Sequence, residues 1–175
     1  NPCSHRKAHN IYGTQMARAT YHGVKRFAYP KRPFVITRSA YAGAQRYSSS
    51  WTGDNVASWE HLWIANIQMQ RMSISGMGFT GSDIGGFAEQ PSGELYARWI
   101  QLGVFHPFCR THSSGDHGDQ EPWAFDEEVT NIIRKFVNLR YQLLPYLYTM
   151  FWQYIEQGIP MLKPLVYYDQ DDIQT

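Results

Sequence analysis

The carboxylate best placed for acid–base chemistry is Asp54, which lies in the turn-prone segment Trp51-Thr-Gly-Asp-Asn55. Partial desolvation beside Trp51 would raise the pKa of this carboxyl and keep a proton available at neutral pH, as a general acid requires. The alternative is that Asp54 or Asn55 simply caps the following helix. These residues alone leave both interpretations open.

Three further polar side chains could bind a ligand. Arg38, at the end of a predicted strand, could hold a carboxylate or a hydroxyl-bearing ligand through its planar donors, or form a structural ion pair. Asp83, between Gly81 and Gly85, could bind hydroxyl groups where glycine permits close approach, although Gly-Asp turns are also ordinary. His112 could contact a sugar hydroxyl or be a surface-loop histidine.

The sequence predicts neither a metal nor a nucleotide cofactor. The histidines and aspartates near residue 110 match no compact zinc pattern; they are His106, His112, Asp116, His117 and Asp119. The glycine-rich segment 76–86 lacks both the Lys-Ser/Thr of a phosphate-binding loop and the dinucleotide-binding spacing. The serine run 48–50 has no nucleophile-elbow motif.

Composition and charge predict one globular domain. Hydrophobic residues make up 43% of the 175 residues and charged residues 18%, which does not match disorder. The net charge of +1 provides no field that would attract a nucleic acid, and no run of 18 apolar residues could span a membrane. Aromatic residues reach 15%, which suits either a sugar-binding cleft or a densely packed core.

The elements that must position these residues alternate between strand and helix. Buried β-rich runs and apolar periodicity predict strands at 34–39, 47–51, 76–80 and 104–109 and helices over 6–27, 58–75, 94–102 and 126–157. A further strand is predicted at Met161–Tyr168. Ser58 and Asp126 are predicted helix caps, and Gly158 is a predicted helix end.

This alternation favours parallel βαβ units, with the polar and glycine-rich residues at the carboxyl ends of the strands, where α/β folds place their sites. A closed eightfold barrel takes about 250 residues. We therefore predict an α/β fold consisting of the second half of a (β/α)8 TIM barrel, about four parallel strand–helix units and incomplete on its own. Both ends of the chain are expected to continue into a longer polypeptide.

Several segments resemble the catalytic barrel of glycoside hydrolase family 31, the α-glucosidases, α-xylosidases and their relatives. The most specific pattern is Gly81-Ser-Asp-Ile-Gly-Gly-Phe87 followed by Arg98-Trp-Ile-Gln-Leu-Gly-Val-Phe-His-Pro-Phe-Cys-Arg-Thr-His112. The segments 51–55 and 140–148 also resemble family segments. By this resemblance, residues 1–158 are the C-terminal part of the catalytic domain, and 159–175 begin a linker or strand into a following β-sandwich domain.

The resemblance implies a retaining glycosidase in which Asp54 is the general acid/base. It also implies a subsite for the non-reducing-end sugar, lined by Arg38, Trp51, Asp83, Phe87 and His112. The family's nucleophile, an aspartate in a Trp-x-Asp-Met-Asn-Glu-like segment, has no counterpart in these residues. Because His9–Gly13 resembles the helix after the nucleophile loop, the nucleophile is expected upstream of residue 1. No metal or organic cofactor is implied.

The expected partners are an α-linked oligosaccharide or glycoside and the rest of the polypeptide, and the isolated chain is expected to be inactive. The first alternative is an α-xylosidase or another family member, including related lyase chemistry. The second is a non-catalytic fragment that binds carbohydrate or is purely structural.

Overall fold

The computed structural model describes residues 3–172 and divides into two compact units, one ending at Trp51 and the other beginning at Thr52. Helices dominate both units. Among residues 3–172, no helix combines the length and the apolar character that crossing a bilayer demands.

The first unit contains helix α1 (His5–Phe27) and a short 3₁₀ helix at Ala44–Arg46. The predicted strands at 34–39 and 47–51 are parallel neighbours, since Ser49 N donates to Val35 O at 2.9 Å and Thr37 N donates to Ser49 O at 3.0 Å. Their pairing is nevertheless limited to one bridge, between Ile36 and Ser49. The prediction of two regular strands is therefore wrong in extent, because a ladder requires such bonds at successive residues.

The second unit contains helices α2 (Trp59–Ile74), α3 (Gly93–Gly103) and α4 (Glu127–Gln157). Two predicted caps are confirmed, because Ser58 accepts a hydrogen bond from His61 N and Asp126 accepts one from Val129 N. Helix α4 ends at Gly158, whose φ of 70° is the left-handed conformation that glycine adopts readily.

Strand β1 (Asp83–Ile84) pairs in parallel with β2 (Arg110–Thr111), with Asp83 opposite Arg110. The predictions of strands at 76–80 and 104–109 are displaced from these positions. Residues 76 and 77 continue the hydrogen bonding of the α2 end, and residues 104–106 continue that of the α3 end. Extended pairing starts only afterwards, with Phe108 N donating to Thr80 O at 3.0 Å.

The predicted strand at Met161–Tyr168 is also wrong. Leu165–Tyr167 is a 3₁₀ helix in which Tyr167 N donates to Pro164 O and Tyr168 N donates to Leu165 O. These i→i+3 bonds use amides that a strand would offer to a neighbour. The interpretation of residues 1–158 as four parallel strand–helix units stays a prediction.

The core of the second unit lies between β1, α3 and α4 and includes Ile84, Leu95, Tyr96, Trp99, Ile100, Val104, Val129 and Ile133. Ser82 and Ile84 both face α3, because Trp99 Nε1 donates to Ser82 Oγ at 2.9 Å and a Cβ at Gly103 would lie 2.6 Å from Ile84 Cδ1. Successive strand residues point to opposite faces. Asp83 therefore lies on the face of the sheet opposite α3.

Candidate active site

Backbone hydrogen bonds hold three loops side by side in the second unit. Asn55 O accepts from Phe87 N at 2.7 Å and from Ala88 N at 3.1 Å, and Phe87 O accepts from Ser114 N at 2.9 Å. A Cβ at Gly86 would lie 2.6 Å from backbone atoms of Ala57, so this close approach requires glycine. The loop of Asp54 therefore lies beside the loop of Phe87, which in turn lies beside the loop that follows β2.

Asp83 forms the central ion pair of this site. Its Oδ1 accepts hydrogen bonds from Arg110 Nε at 3.1 Å and Nη2 at 2.8 Å, and its side chain is 0% exposed. Its second oxygen, Oδ2, is buried without a hydrogen-bond partner in the part of the chain that the structure describes. One carboxylate oxygen is thus fixed by Arg110, while the other still has acceptor capacity.

Burial raises the pKa of the Asp83 carboxyl, because the charged form loses its hydration. The hydrogen bond and charge of Arg110 oppose this effect, as does the charge of His112, whereas the charge of Asp54 adds to it. The electrostatic coupling links three of the sequence-predicted site residues within one unit.

An aromatic pair lies where the loops after β1 and β2 meet. The rings of Phe87 and His112 have centroids 5.1 Å apart and planes inclined by 35°. Phe87 is half-buried and His112 is exposed. The pair offers an apolar ring face beside a polar ring nitrogen, a combination that suits contact with a sugar.

Asp54 is exposed in the second unit and does not cap α2, because Ser58 fills that role. The side chain of its neighbour Asn55 does not cap α2 either, since its Oδ1 accepts a hydrogen bond from Thr52 Oγ1 at 2.5 Å. The capping alternative is therefore wrong for both residues. The Asp54 carboxyl is accessible for chemistry.

The other two predicted site residues, Arg38 and Trp51, belong to the first unit. Arg38 is exposed and lines a cavity of about 300 Å³ together with His5, His9, Tyr12 and Tyr41. Trp51 is half-buried. The second unit by itself brings together Asp83, Phe87 and His112, with the loop of Asp54 alongside.

The sequence analysis did not identify Arg110 as a site residue, although it lies in the segment 98–112, two residues before His112. The available signal was that Asp83 and Arg110 each follow a predicted strand, since the carboxyl ends of parallel strands meet at one edge of a sheet. Among residues 3–172, no group of three or more histidine, cysteine or acidic side chains could hold a metal ion.

His106 is a second buried polar group that sequence reasoning did not explain. It is 1% exposed, and neither ring nitrogen has a partner among residues 3–172. Burial, together with the nearby Arg140 charge, lowers the pKa of His106 to about 3. Arg140 donates to the carbonyl oxygens of Val104, His106 and Pro107, and so fixes the chain that leads into β2.

We expect His106→Phe to raise the Tm of the polypeptide that carries this chain, because it removes two buried nitrogens that lack partners, at roughly 1 to 3 kcal/mol per such group. The folded-state pKa lies below the ordinary 6.5, so the unfolded chain binds the extra proton. Wild-type stability should therefore fall as the pH drops from about 6.5 toward 3. Thermal unfolding at pH 7.5 and pH 5 measures both effects.

The exposed histidine His9 provides the control, because His9→Gln should leave the pH dependence of the Tm unchanged. If His106→Phe loses as much Tm on acidification as the wild type does, His106 is not the group responsible. A lowered Tm at both pH values would mean that the His106 ring makes an essential polar contact.

Comparison with known proteins supports a specific family. Residues 1–150 match the family described as "Glycosyl hydrolases family 31 TIM-barrel domain". "Alpha-glucosidase 2" of Bacillus thermoamyloliquefaciens is 46% identical over 175 residues, which is 100% of this chain and 22% of that protein. "Glucosidase 2 subunit alpha" of Saccharomyces cerevisiae is 46% identical over 94% of this chain and 18% of its own length.

Solved structures agree with this relationship. A crystal structure of a glucosidase II alpha subunit superimposes with a TM-score of 0.91 at 40% identity, covering 95% of this chain and 18% of that one. The family 31 alpha-glucosidase of Bacteroides thetaiotaomicron gives a TM-score of 0.91 at 38% identity, covering 96% of this chain and 29% of that one. The chain spans about a fifth of the length of the curated relatives it matches. By sequence and by structure, this chain belongs to glycosyl hydrolase family 31 and forms part of its TIM-barrel domain.

Proposed function

We propose that this chain supplies the general acid/base and part of the sugar-binding subsite of a retaining α-glucosidase that removes terminal α-linked glucose from oligosaccharides. The observation that carries the proposal is the placement of the accessible Asp54 loop beside the Phe87 loop and its electrostatic coupling to buried Asp83. The names of the related proteins, which are α-glucosidases and glucosidase II subunits, support the substrate class.

Asp54 acts twice in the proposed reaction. As the glycosidic bond breaks, its carboxylic acid donates a proton to the departing oxygen. The resulting carboxylate then removes a proton from the water molecule that attacks the glycosyl intermediate, which restores the acid. A second carboxylate about 5 to 5.5 Å away must form that intermediate, and we assign it to an aspartate outside these 175 residues.

The remaining residues bind the sugar. Asp83 Oδ2 accepts a hydrogen bond from a sugar hydroxyl, while Oδ1 stays paired with Arg110. His112 binds a second hydroxyl, and Phe87 packs against the apolar face of the ring. Arg38 and Trp51 are assigned to the same subsite from the family resemblance. No metal or organic cofactor takes part in this scheme.

The domain organisation is part of the proposal. We infer that residues 1–158 form the C-terminal half of the (β/α)8 barrel and that residues 159–175 begin the connection to a following β-sandwich domain. The share of the relatives' length that this chain covers supports a larger polypeptide.

The test is to express the full-length polypeptide that carries this chain and to measure hydrolysis of an aryl α-glucoside. Nuclear magnetic resonance should detect α-glucose as the first product formed, because two inversions retain the anomeric configuration. First formation of β-glucose would rule out the retaining mechanism. Faster hydrolysis of the corresponding aryl α-xyloside than of the aryl α-glucoside would indicate the α-xylosidase alternative. Binding of both glycosides without hydrolysis would indicate a non-catalytic module.

We expect the 175-residue chain on its own to show no turnover of the aryl α-glucoside. Asp54 supplies protonation, but nothing in this chain is assigned to capture the oxocarbenium-like sugar. Mixing the chain with the separately expressed remainder of the polypeptide should restore activity. Hydrolysis by the purified chain alone would show that these residues contain the second carboxylate.

A further inference from the structure

Two loops of the second unit are joined by side chains to which the proposed function assigns no role. We name them the β1 loop (residues 85–90) and the β2 loop (residues 112–120). Apart from the backbone bond between Ser114 N and Phe87 O, the main connection is the half-buried ring of His117. Gln120 adds a bond from its Nε2 to Gly86 O at 3.3 Å.

His117 contacts both loops through its two ring nitrogens. Its Nε2 lies 3.2 Å from Phe87 O and 3.2 Å from Ser114 Oγ, and its Nδ1 lies 3.1 Å from Gln90 Oε1. An imidazole protonated at Nδ1 donates to Gln90 and accepts from the Ser114 hydroxyl. In this tautomer the ring connects the β2 loop to Gln90 of the β1 loop, whereas an imidazole protonated at Nε2 donates to Phe87 O instead.

Gln90 completes the connection. While its Oε1 faces His117, its Nε2 donates to Asp119 O at 3.1 Å. Gly118 makes room for this side chain, because a Cβ there would lie 3.2 Å from Gln90 Oε1. Both polar ends of the Gln90 amide are thus used across the two loops.

The β1 loop requires such external support because its backbone is strained. Glu89 has a φ of 66°, a left-handed conformation that is unfavourable for a non-glycine residue. Such strain persists only where surrounding contacts hold it in place. Glu89 lies between Phe87 and Gln90, so the bonds at those two residues hold the strained residue from both sides.

We propose that His117 and Gln90 form a clasp that positions Phe87 and His112 as one wall of the sugar-binding pocket. Both are positioning residues, because they act through the wall and make no contact with the substrate. The inference rests on the proposed function, since it assigns the wall to sugar binding. It predicts that loosening the clasp weakens substrate binding more than it slows the chemical step.

The experiment uses the full-length polypeptide with His117→Ala, Gln90→Ala, the double variant, and Asp116→Ala as an exposed control in the same loop. We expect the KM for an aryl α-glucoside to rise roughly 10-fold in each single clasp variant, with kcat changed less than about 3-fold. The double variant should show about the same KM as either single variant, because each single substitution already breaks the hydrogen bond that His117 and Gln90 share. His117→Asn, which keeps a donor toward Gln90, should recover part of the affinity.

Hydrogen exchange and the Tm separate positioning from general stability. Peptides covering the β1 and β2 loops should exchange faster in His117→Ala, while the Tm falls little. Unchanged loop exchange, or faster exchange with an unchanged KM, would overturn the inference while leaving the proposed function intact. A wild-type polypeptide that neither binds nor hydrolyses α-glucosides would remove the proposed function, and the inference with it.

Discussion

Replacing Asp54 with alanine in the full-length polypeptide should lower kcat/KM roughly 10²- to 10⁴-fold on an α-glucoside with a poor leaving group, the usual contribution of general acid–base catalysis. The loss of kcat/KM should be far smaller for an α-glucoside whose leaving group departs without a proton. Asp54 is exposed and does not cap α2, so the substitution should leave the fold intact. Steady-state kinetics on a matched pair of substrates measures the difference.

The pH profile provides an independent readout of the same substitution. With a poor leaving group, loss of the general acid should remove the decline in kcat/KM on the alkaline side of the optimum. Asp116→Ala, at another exposed aspartate of the second unit, should leave both the rate and the profile unchanged. Equal losses on both substrates, or none on either, would mean that Asp54 is not the proton donor.

Replacing Arg110 with methionine should destabilise the polypeptide by roughly 3 to 5 kcal/mol, because it leaves the fully buried Asp83 carboxylate without its cation. Burial already raises the pKa of Asp83, and Arg110 opposes that rise. Without Arg110 the folded state binds a proton more readily. The stability deficit should therefore shrink as the pH falls from 7 to 5, which thermal unfolding at the two pH values measures.

The double variant Asp83→Leu with Arg110→Met separates stability from binding. It removes both charges, so most of the lost Tm should return. The KM of the double variant for an α-glucoside should nevertheless exceed that of the wild type, because the Asp83 oxygen assigned to the sugar hydroxyl is gone. Recovery of the KM together with the Tm would show that Asp83 holds the fold and does not bind sugar. If Arg110→Met loses the same stability at pH 7 and at pH 5, the unpaired Asp83 carboxylate is not the cause of that loss.

Local sequence signals located the helices because each signal acts within a few residues. Ser58 and Asp126 cap α2 and α4, and Gly158 ends α4, as their types and positions predict. The family motifs likewise identified the barrel, and they are confirmed by the match over residues 1–150. Strand positions were less accurate, because residues 76–77 and 104–106 complete helix ends before any extended pairing starts.

The order of the amino acids alone predicts the family, the helices and the set of residues from which a site could be built. Which of these residues meet depends on long-range packing. Asp83 and Arg110 are 27 residues apart and pair only because β1 and β2 align in parallel register. His117 reaches Phe87 and Gln90 only because two loops lie side by side. Periodicity and capping depend on near neighbours in the chain, whereas register and loop contacts depend on how distant segments pack.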